Sequence, residues 1–130
     1  HFTPLFFLYA LLLGVTSHVS AQEQYENQTI EVKLMAPDTT WMLAIDEVYQ
    51  VGQELWVIAG VKQTGQAFGL TMITTLEDQI TVKAPALPLK YYILGKTWGW
   101  ANEEPYTFIK SRTEIVSALK NGKRLFSRSL

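Results

Sequence analysis

The sequence predicts a mainly β protein, with about seven strands arranged as a two-sheet antiparallel sandwich or a partly open barrel and one short C-terminal helix. Two observations predict this fold. Short segments of alternating or β-branched apolar residues recur at spacings of roughly ten residues, with turn residues between them. Only one segment has the start and stop signals of a helix, and it lies late in the chain.

The first 21 residues differ from the rest because they contain no Asp, Glu, Lys or Arg. Leu5 to Val15 is an apolar run about half as long as the roughly 20 residues that span a bilayer. Val19-Ser20-Ala21 places small residues where a signal peptidase cleaves. We therefore expect a signal peptide at 1–21 and a single β-rich domain at 22–130, secreted or periplasmic. The alternative is an apolar N-terminal core helix.

Three strands are predicted in the first half of the domain, at Ile30 to Leu34, Trp41 to Tyr49 and Glu54 to Lys62. The first alternates apolar with charged residues, as a half-buried strand does. In the second, the apolar parity slips at Asp46-Glu47, which predicts a β-bulge or a bend. The third is apolar on both parities, which predicts a central strand covered on both faces.

The second half predicts four strands and the helix. A turn at Gln63 to Gln66 precedes the fourth strand, and Glu77-Asp78 is expected to turn the chain before the fifth. Ser111 and Glu114 have the spacing of a capping box, so the helix is expected at 112–120. The four strands are predicted at Phe68 to Leu76, Ile80 to Val82, Leu89 to Leu94 and Tyr106 to Ile109.

The residue types restrict the chemistry. Both histidines, His1 and His18, lie in the expected signal peptide, and the chain has no cysteine. A mature domain without His or Cys cannot use Ser-His or Cys-His nucleophiles or the usual zinc ligands. We therefore expect no enzyme activity, metal or cofactor. A carboxylate-dependent enzyme using two acids from separate segments is the alternative.

The net charge argues against nucleic acid and membranes as partners. It is −1 at pH 7, with no cluster of basic residues to attract a polyanion. We expect the chain to bind no nucleic acid, and no membrane after signal cleavage.

An aromatic segment near the C-terminus is the candidate binding site. Lys96, Trp98 and Trp100 share one parity, so in an extended segment their side chains would project together, with Tyr106 nearby in sequence. Tryptophan is favoured at protein interfaces and also stacks on sugars. The alternative is that these rings pack in the core. Asp38 and Trp41, in the segment 37–41, complete the set of candidate binding residues.

Part of the sequence resembles a known family. Between Thr40 and Val82, the pattern of apolar strand residues ends in Ile73-Thr74-Thr75 and is similar to the C-terminal domain of PrcB-type protease-complex subunits. The chain departs from that family at Thr40, where the family has glycine, and at Thr64-Gly65, where it has Pro-Gly. The resemblance implies a small exported β domain that associates with a protease and has no catalytic residue. The pattern consists of Trp41, Leu43, Ile45, Val48, Leu55 and Val57, followed by Ile73-Thr74-Thr75.

Three loop segments also resemble the inhibitory loops of chagasin-like cysteine-protease inhibitors, in the same order. They are 37–41, with sequence PDTTW, Gly65 to Gly69, and 96–98, with sequence KTW. Asp38 interrupts the first motif, the two glycines are one residue too far apart, and neither Arg nor Pro precedes Trp98.

These observations lead to two binding hypotheses. The first is a secreted, non-catalytic protein-binding module, with a protease as partner or target, that contacts its partner through loops 37–41, 63–69 and 96–105. The alternative is a small carbohydrate or cell-envelope binding protein that stacks its ligand on Trp98, Trp100 and Tyr106.

Overall fold

The computed structural model describes residues 24–65 and 70–128. The expected signal peptide at 1–21, the start of the predicted fourth strand at Phe68 and the second glycine of the Gly65–Gly69 turn lie outside these residues. Seven strands are seen in the described part: β1 Glu26–Ala36, β2 Trp41–Val51, β3 Glu54–Gln63, β4 Thr74–Ala84, β5 Leu89–Leu94, β6 Tyr106–Ile109 and β7 Lys123–Ser127.

The strands form two sheets, which confirms the mainly β, sandwich-like fold. A two-stranded sheet pairs β1 with β4, and a five-stranded sheet has the order β6-β5-β3-β2-β7. Strand β3 is central, as its double-sided apolar pattern predicted. The register of β2 against β3 shifts between Ile45 and Glu47, which places the predicted bulge at Asp46.

Antiparallel pairing throughout the fold was expected, and this is wrong for two strand pairs. Strand β5 runs parallel to β3, and β6 runs parallel to β5. The connections explain it, because parallel neighbours need a crossover instead of a hairpin. After β4 the chain crosses to the start of β3, where the Leu55 amide donates to the Pro88 carbonyl (2.9 Å). The segment 95–105 then returns the chain to the start of β5.

The fourth and fifth predicted strands are one continuous strand, so the turn expected at Glu77-Asp78 is wrong. The β1–β4 register runs without interruption from Ala36 opposite Thr74 to Glu26 opposite Ala84. Asp78 is tolerated on the inward parity because its carboxylate has partners from distant parts of the chain. Residues 70–73 precede the strand and do not belong to it.

The C-terminal helix is shorter than predicted. A 3-10 turn, Arg112–Glu114, is followed by the short helix α1, Val116–Lys120. The predicted capping box is present, since Ser111 Oγ accepts from the Thr113 amide (3.2 Å) and Glu114 Oε2 accepts from the Ser111 amide (3.2 Å). Strand β7 follows directly and was not predicted.

The main core lies between the two sheets. Each fully buried Val, Leu or Ile contributes about 1.5–3 kcal/mol by leaving water. A second cluster covers the outer face of the five-stranded sheet, where Ile115 and Leu119 pack on Ile58, Tyr92 and Ile109. The side chains of the main core that are most completely buried are Ile30, Val32, Ile45, Val48, Leu55, Val57 and Ile93.

Two corners join the sheets, and at each of them side chains bond to the backbone of a strand, β1 at one corner and β2 at the other. At the aromatic corner, Trp98 Nε1 donates to the Met35 carbonyl (3.1 Å), and the Lys33 amide donates to Tyr106 Oη (3.0 Å). At the ionic corner, Asp78 Oδ2 accepts from the Ile45 amide (2.8 Å) and from Arg128 Nη2 (2.7 Å).

Candidate functional site

Three connections meet at one end of the sandwich. They are residues 37–40 between β1 and β2, residues 64–65 and 70–73 between β3 and β4, and residues 96–102 between β5 and β6. We call these residues the loop end. Most described residues of the three loop segments singled out in the sequence analysis lie there, so the fold brings together stretches that are far apart in sequence.

Backbone hydrogen bonds hold the first two connections against each other. The Thr39 amide donates to the Leu70 carbonyl (3.2 Å), and the Leu70 amide donates to Thr39 Oγ1 (2.8 Å). The Thr64 amide donates to the Thr40 carbonyl (2.6 Å). The segment that follows the undescribed residues 66–69 is therefore tied to the β1–β2 loop.

Asp38 shapes its own loop. Its Oδ1 accepts from the Thr40 amide (2.8 Å) and from the Thr40 hydroxyl, which is the bonding of an Asx-type turn. The side chain is half-buried. One oxygen of the carboxylate is thus occupied by the loop itself, which makes Asp38 a residue that fixes loop shape.

Trp41 and Trp98 pack edge to face, with ring centroids 4.9 Å apart. Both rings are half-buried against the main core, and the Trp98 indole N–H is used by the Met35 carbonyl. Such a pair adds about 0.5–1.5 kcal/mol beyond burial of its area. The alternative considered from the sequence, that a ring of the aromatic segment packs on the core, therefore describes Trp98.

Lys96 turns back onto its own loop. Its Nζ donates to the Trp98 carbonyl (2.6 Å) and to Asn102 Oδ1 (2.7 Å), and it lies 4.9 Å from the centre of the Phe108 ring. Burial lowers the pKa of this ammonium. Asn102 Nδ2 in turn donates to the Gly99 carbonyl (3.1 Å). These bonds close the segment around Trp100.

The segment begins and ends at unusual backbone angles. Gly95 has a φ of 89°, and a Cβ at this position would overlap the Val61 carbonyl oxygen. Ala101, with a φ of 61°, is the one non-glycine residue with positive φ in the described chain. Together with the Lys96 bonds, these angles fix how Trp100 is presented.

Trp100 is the most exposed ring of the predicted set, at 40%. Its centroid is 6.3 Å from that of Trp98, so it extends the aromatic pair outward. Tyr106 instead lies half-buried against Tyr91, with centroids 5.2 Å apart, and its hydroxyl accepts from β1. Within the predicted set, Trp100 thus offers its surface to a partner, whereas Trp98 and Tyr106 join the sheets.

Several exposed apolar residues of this end were missed by sequence reasoning. Leu70, Met72 and Ile73 lie within the strand predicted at Phe68 to Leu76, but in the structure they precede β4 and are exposed. Their proximity to Gly65 was the available signal of a loop. Of the eight large apolar side chains that are exposed among the described residues, six lie at or beside the loop end: Met35, Met42, Leu70, Met72, Ile73 and Trp100.

The carboxylates of the described residues are dispersed. Glu47 is paired with Arg112 (2.9 Å), and Asp78 with Arg128 (2.7 Å). Asp46, on the bulge, lines a cavity of about 390 Å³ on the outer face of the five-stranded sheet. Burial raises the pKa of Asp46, and the charge of Arg128 opposes this shift. No group of three or more His, Cys, Asp or Glu residues in the described chain is placed to hold a metal ion.

Comparisons with known proteins add no relative. The chain matches no family model, and no curated protein or solved structure is significantly similar to it. The resemblances to PrcB-type subunits and chagasin-like inhibitors therefore stay predictions. Across residues 24–65 and 70–128, no helix has the length and apolar character needed to cross a bilayer.

Proposed function

We propose that this protein is an exported, non-catalytic protein-binding module, and that its partner contacts the loop end. The observation that carries the proposal is the concentration of exposed apolar side chains at this end of the sandwich. The two other exposed large apolar residues, Tyr25 and Leu89, lie at the opposite end. A group of exposed apolar residues at one end of a small domain is typical of an interaction site.

The composition of the surface supports a protein partner. All three methionines of the chain, Met35, Met42 and Met72, are exposed there. Thioether side chains are flexible and polarisable, so they adapt to the shape of a partner surface. Trp100 adds a large ring of the kind that carries much of the binding energy at interfaces.

The loop end is also preorganised. The bonds of Lys96, Asp38 and Thr39 fix the described parts of these loops before a partner arrives, which reduces the ordering cost of association. An exposed indole held on a loop by these bonds suits a concave surface such as a protease cleft. The two sequence resemblances, both to protease-associated families, make a protease the partner class we propose.

Binding to a panel of purified cysteine and serine proteases, measured by biolayer interferometry and by inhibition assays, tests the proposal. Trp100→Ala should weaken binding at least about tenfold. Tyr25→Ala is the matched control, because Tyr25 is exposed to a similar extent (43% against 40%) at the other end. Equal loss in both variants would contradict the loop end as the site, and failure of every protease to bind would contradict the partner class.

The carbohydrate hypothesis is supported by Trp100 alone, because Trp98 and Tyr106 are half-buried and their polar atoms bond to β1. A glycan array read with the wild type and Trp100→Ala separates the two hypotheses. Glycan binding that disappears in Trp100→Ala, without protease binding, would favour the cell-envelope function over the one proposed here.

A further inference from the structure

Strand β1 has one edge without a neighbouring strand. In the described structure it pairs with β4 alone. Along an antiparallel strand, the backbone groups of successive residues point to opposite edges. The Lys33 amide and the Met35 carbonyl bond to Tyr106 and Trp98, so the odd-numbered residues of β1 point away from β4. Asn27, Thr29 and Glu31 have the same parity.

The two halves of this edge differ. At Lys33 and Met35, side chains from the aromatic corner cover the backbone. From Asn27 to Glu31, no strand of the described chain lies alongside, so the amides and carbonyls that point outward can pair with another strand. An unprotected edge of this kind is a template for strand addition.

We propose that the edge from Asn27 to Glu31 pairs with the same edge of a second copy of the chain, antiparallel and centred on Thr29. In this register Thr29 lies opposite Thr29 of the second copy, and Asn27 lies opposite Glu31. Each opposed pair exchanges two backbone hydrogen bonds, giving about six in total. The arrangement is a closed twofold dimer, the commonest form of homo-oligomer.

Other registers are less favourable. Side chains keep to their own face of the sheet only when odd residues oppose odd residues. Centring on Ile30 loses the two symmetric pairs between Lys33 and Asn27, because the Lys33 amide is occupied by Tyr106. Centring on Glu31 places two carboxylates directly opposite each other, which destabilises a pair. The Thr29 register avoids both conflicts and places a Thr–Thr pair at the twofold axis.

This inference is independent of the proposed function. The free half of the edge lies toward the start of β1, away from the loop end, and variants of one surface leave the other intact. Thr29 is exposed, and so is Thr81, its neighbour on β4. Thr81 therefore provides a matched control on the same face, on the strand that does not carry the proposed dimer edge.

The experiment uses protein purified from a host that expresses and processes the full chain. Sedimentation velocity over a range of concentrations measures the dimer. Thr29→Lys and Thr29→Asp should each raise the dissociation constant by at least about tenfold, since like charges meet at the axis. Mixing the two variants should restore a dimer, because opposite charges then meet. Thr81→Lys and Thr81→Asp should dimerise like the wild type.

Hydrogen exchange provides a readout on the wild type that does not depend on how the variants fold. The amides of Asn27, Thr29 and Glu31 should become protected as the concentration rises. A wild type that is monomeric at every concentration would overturn the proposal, as would variants at Thr29 that dimerise unchanged. Protection of these amides by an added partner in a monomeric protein would also overturn it, since the occupant would then be another chain.

Discussion

The aromatic and ionic corners join the same two sheets by different chemistry. At the aromatic corner, Trp98 and Tyr106 combine ring packing with hydrogen bonds to β1, and none of these groups is charged. At the ionic corner, Asp78 and Arg128 form an ion pair that also bonds both backbone groups of Ile45, since Arg128 Nε donates to the Ile45 carbonyl (2.9 Å). The same two sheets are therefore joined at one corner by apolar rings and at the other by an ion pair.

The comparison also bears on function. The aromatic corner lies next to the loop end. A residue that stabilises the fold and a residue that we propose for binding are therefore close together in the chain. Trp98 and Trp100 are two residues apart and serve different purposes. Variants of these two rings should therefore separate stability from binding.

The largest expected effect is at the aromatic corner. Trp98→Ala removes a half-buried ring, its contact with Trp41 and a hydrogen bond, and should lower the free energy of unfolding by about 2–3 kcal/mol. Trp100→Ala, which removes an exposed ring, should cost less than about 1 kcal/mol. Urea denaturation measures both. Equal losses would show that the two rings share one structural role.

The ionic corner should follow. Asp78→Ala leaves Arg128 and the Ile45 amide without their acceptor and should cost about 2 kcal/mol. Glu77→Ala is the control, because Glu77 is exposed and lies 3.9 Å from Lys33, and such a pair contributes less than about 1 kcal/mol. If the two variants have the same denaturation midpoint, Asp78 does not hold the corner.

A single hydrogen bond of the aromatic corner is worth less. Tyr106→Phe keeps the ring but removes the acceptor of the Lys33 amide, and should cost about 1 kcal/mol. Tyr25→Phe is the same substitution at an exposed hydrogen bond to Gln50 (2.9 Å), and should cost less than about 0.5 kcal/mol. Thermal unfolding of the two variants gives the difference, and a larger loss for Tyr25→Phe would contradict the role of Tyr106.

The smallest effect should be the pH dependence of the bulge beside the ionic corner. Because burial raises the pKa of Asp46 in the folded state, its ionised form reduces the free energy of unfolding at neutral pH. This cost is lost as the pH falls through the folded-state pKa. Asp46→Asn should therefore be more stable than the wild type at pH 7, and the advantage should shrink in acid. Urea denaturation in a pH series measures the difference, and an advantage that grows in acid would contradict the sign of the shift.

Local patterns predicted much of the fold. The bulge at Asp46, the central position of β3 and the capping box at Ser111 all follow from residues within a few positions of each other. The Asx-type turn at Asp38 is local as well. Each depends on parity or on a hydrogen bond within the same segment, which a sequence displays directly.

The errors have a common cause. The turn predicted at Glu77-Asp78 is wrong because the Asp78 carboxylate, which is costly on the inward face of a strand, is compensated by Arg128, fifty residues later in the chain. Parallel pairing of β5 with β3 depends on how a crossover packs, and the Leu70 to Ile73 segment was assigned by composition without its contacts.

By itself, the sequence determined a β-rich domain whose described residues hold no histidine or cysteine, the positions of β1, β2, β3, β5 and β6 along the chain, and the aromatic segment that carries the candidate site. Only the tertiary structure decided that Lys96 turns inward, that Trp98 and Tyr106 join the sheets, and that Trp100 is left exposed. The physical reason is that neighbouring residues determine strand parity and turns. Whether a side chain is exposed depends instead on which distant backbone groups form hydrogen bonds with its polar atoms.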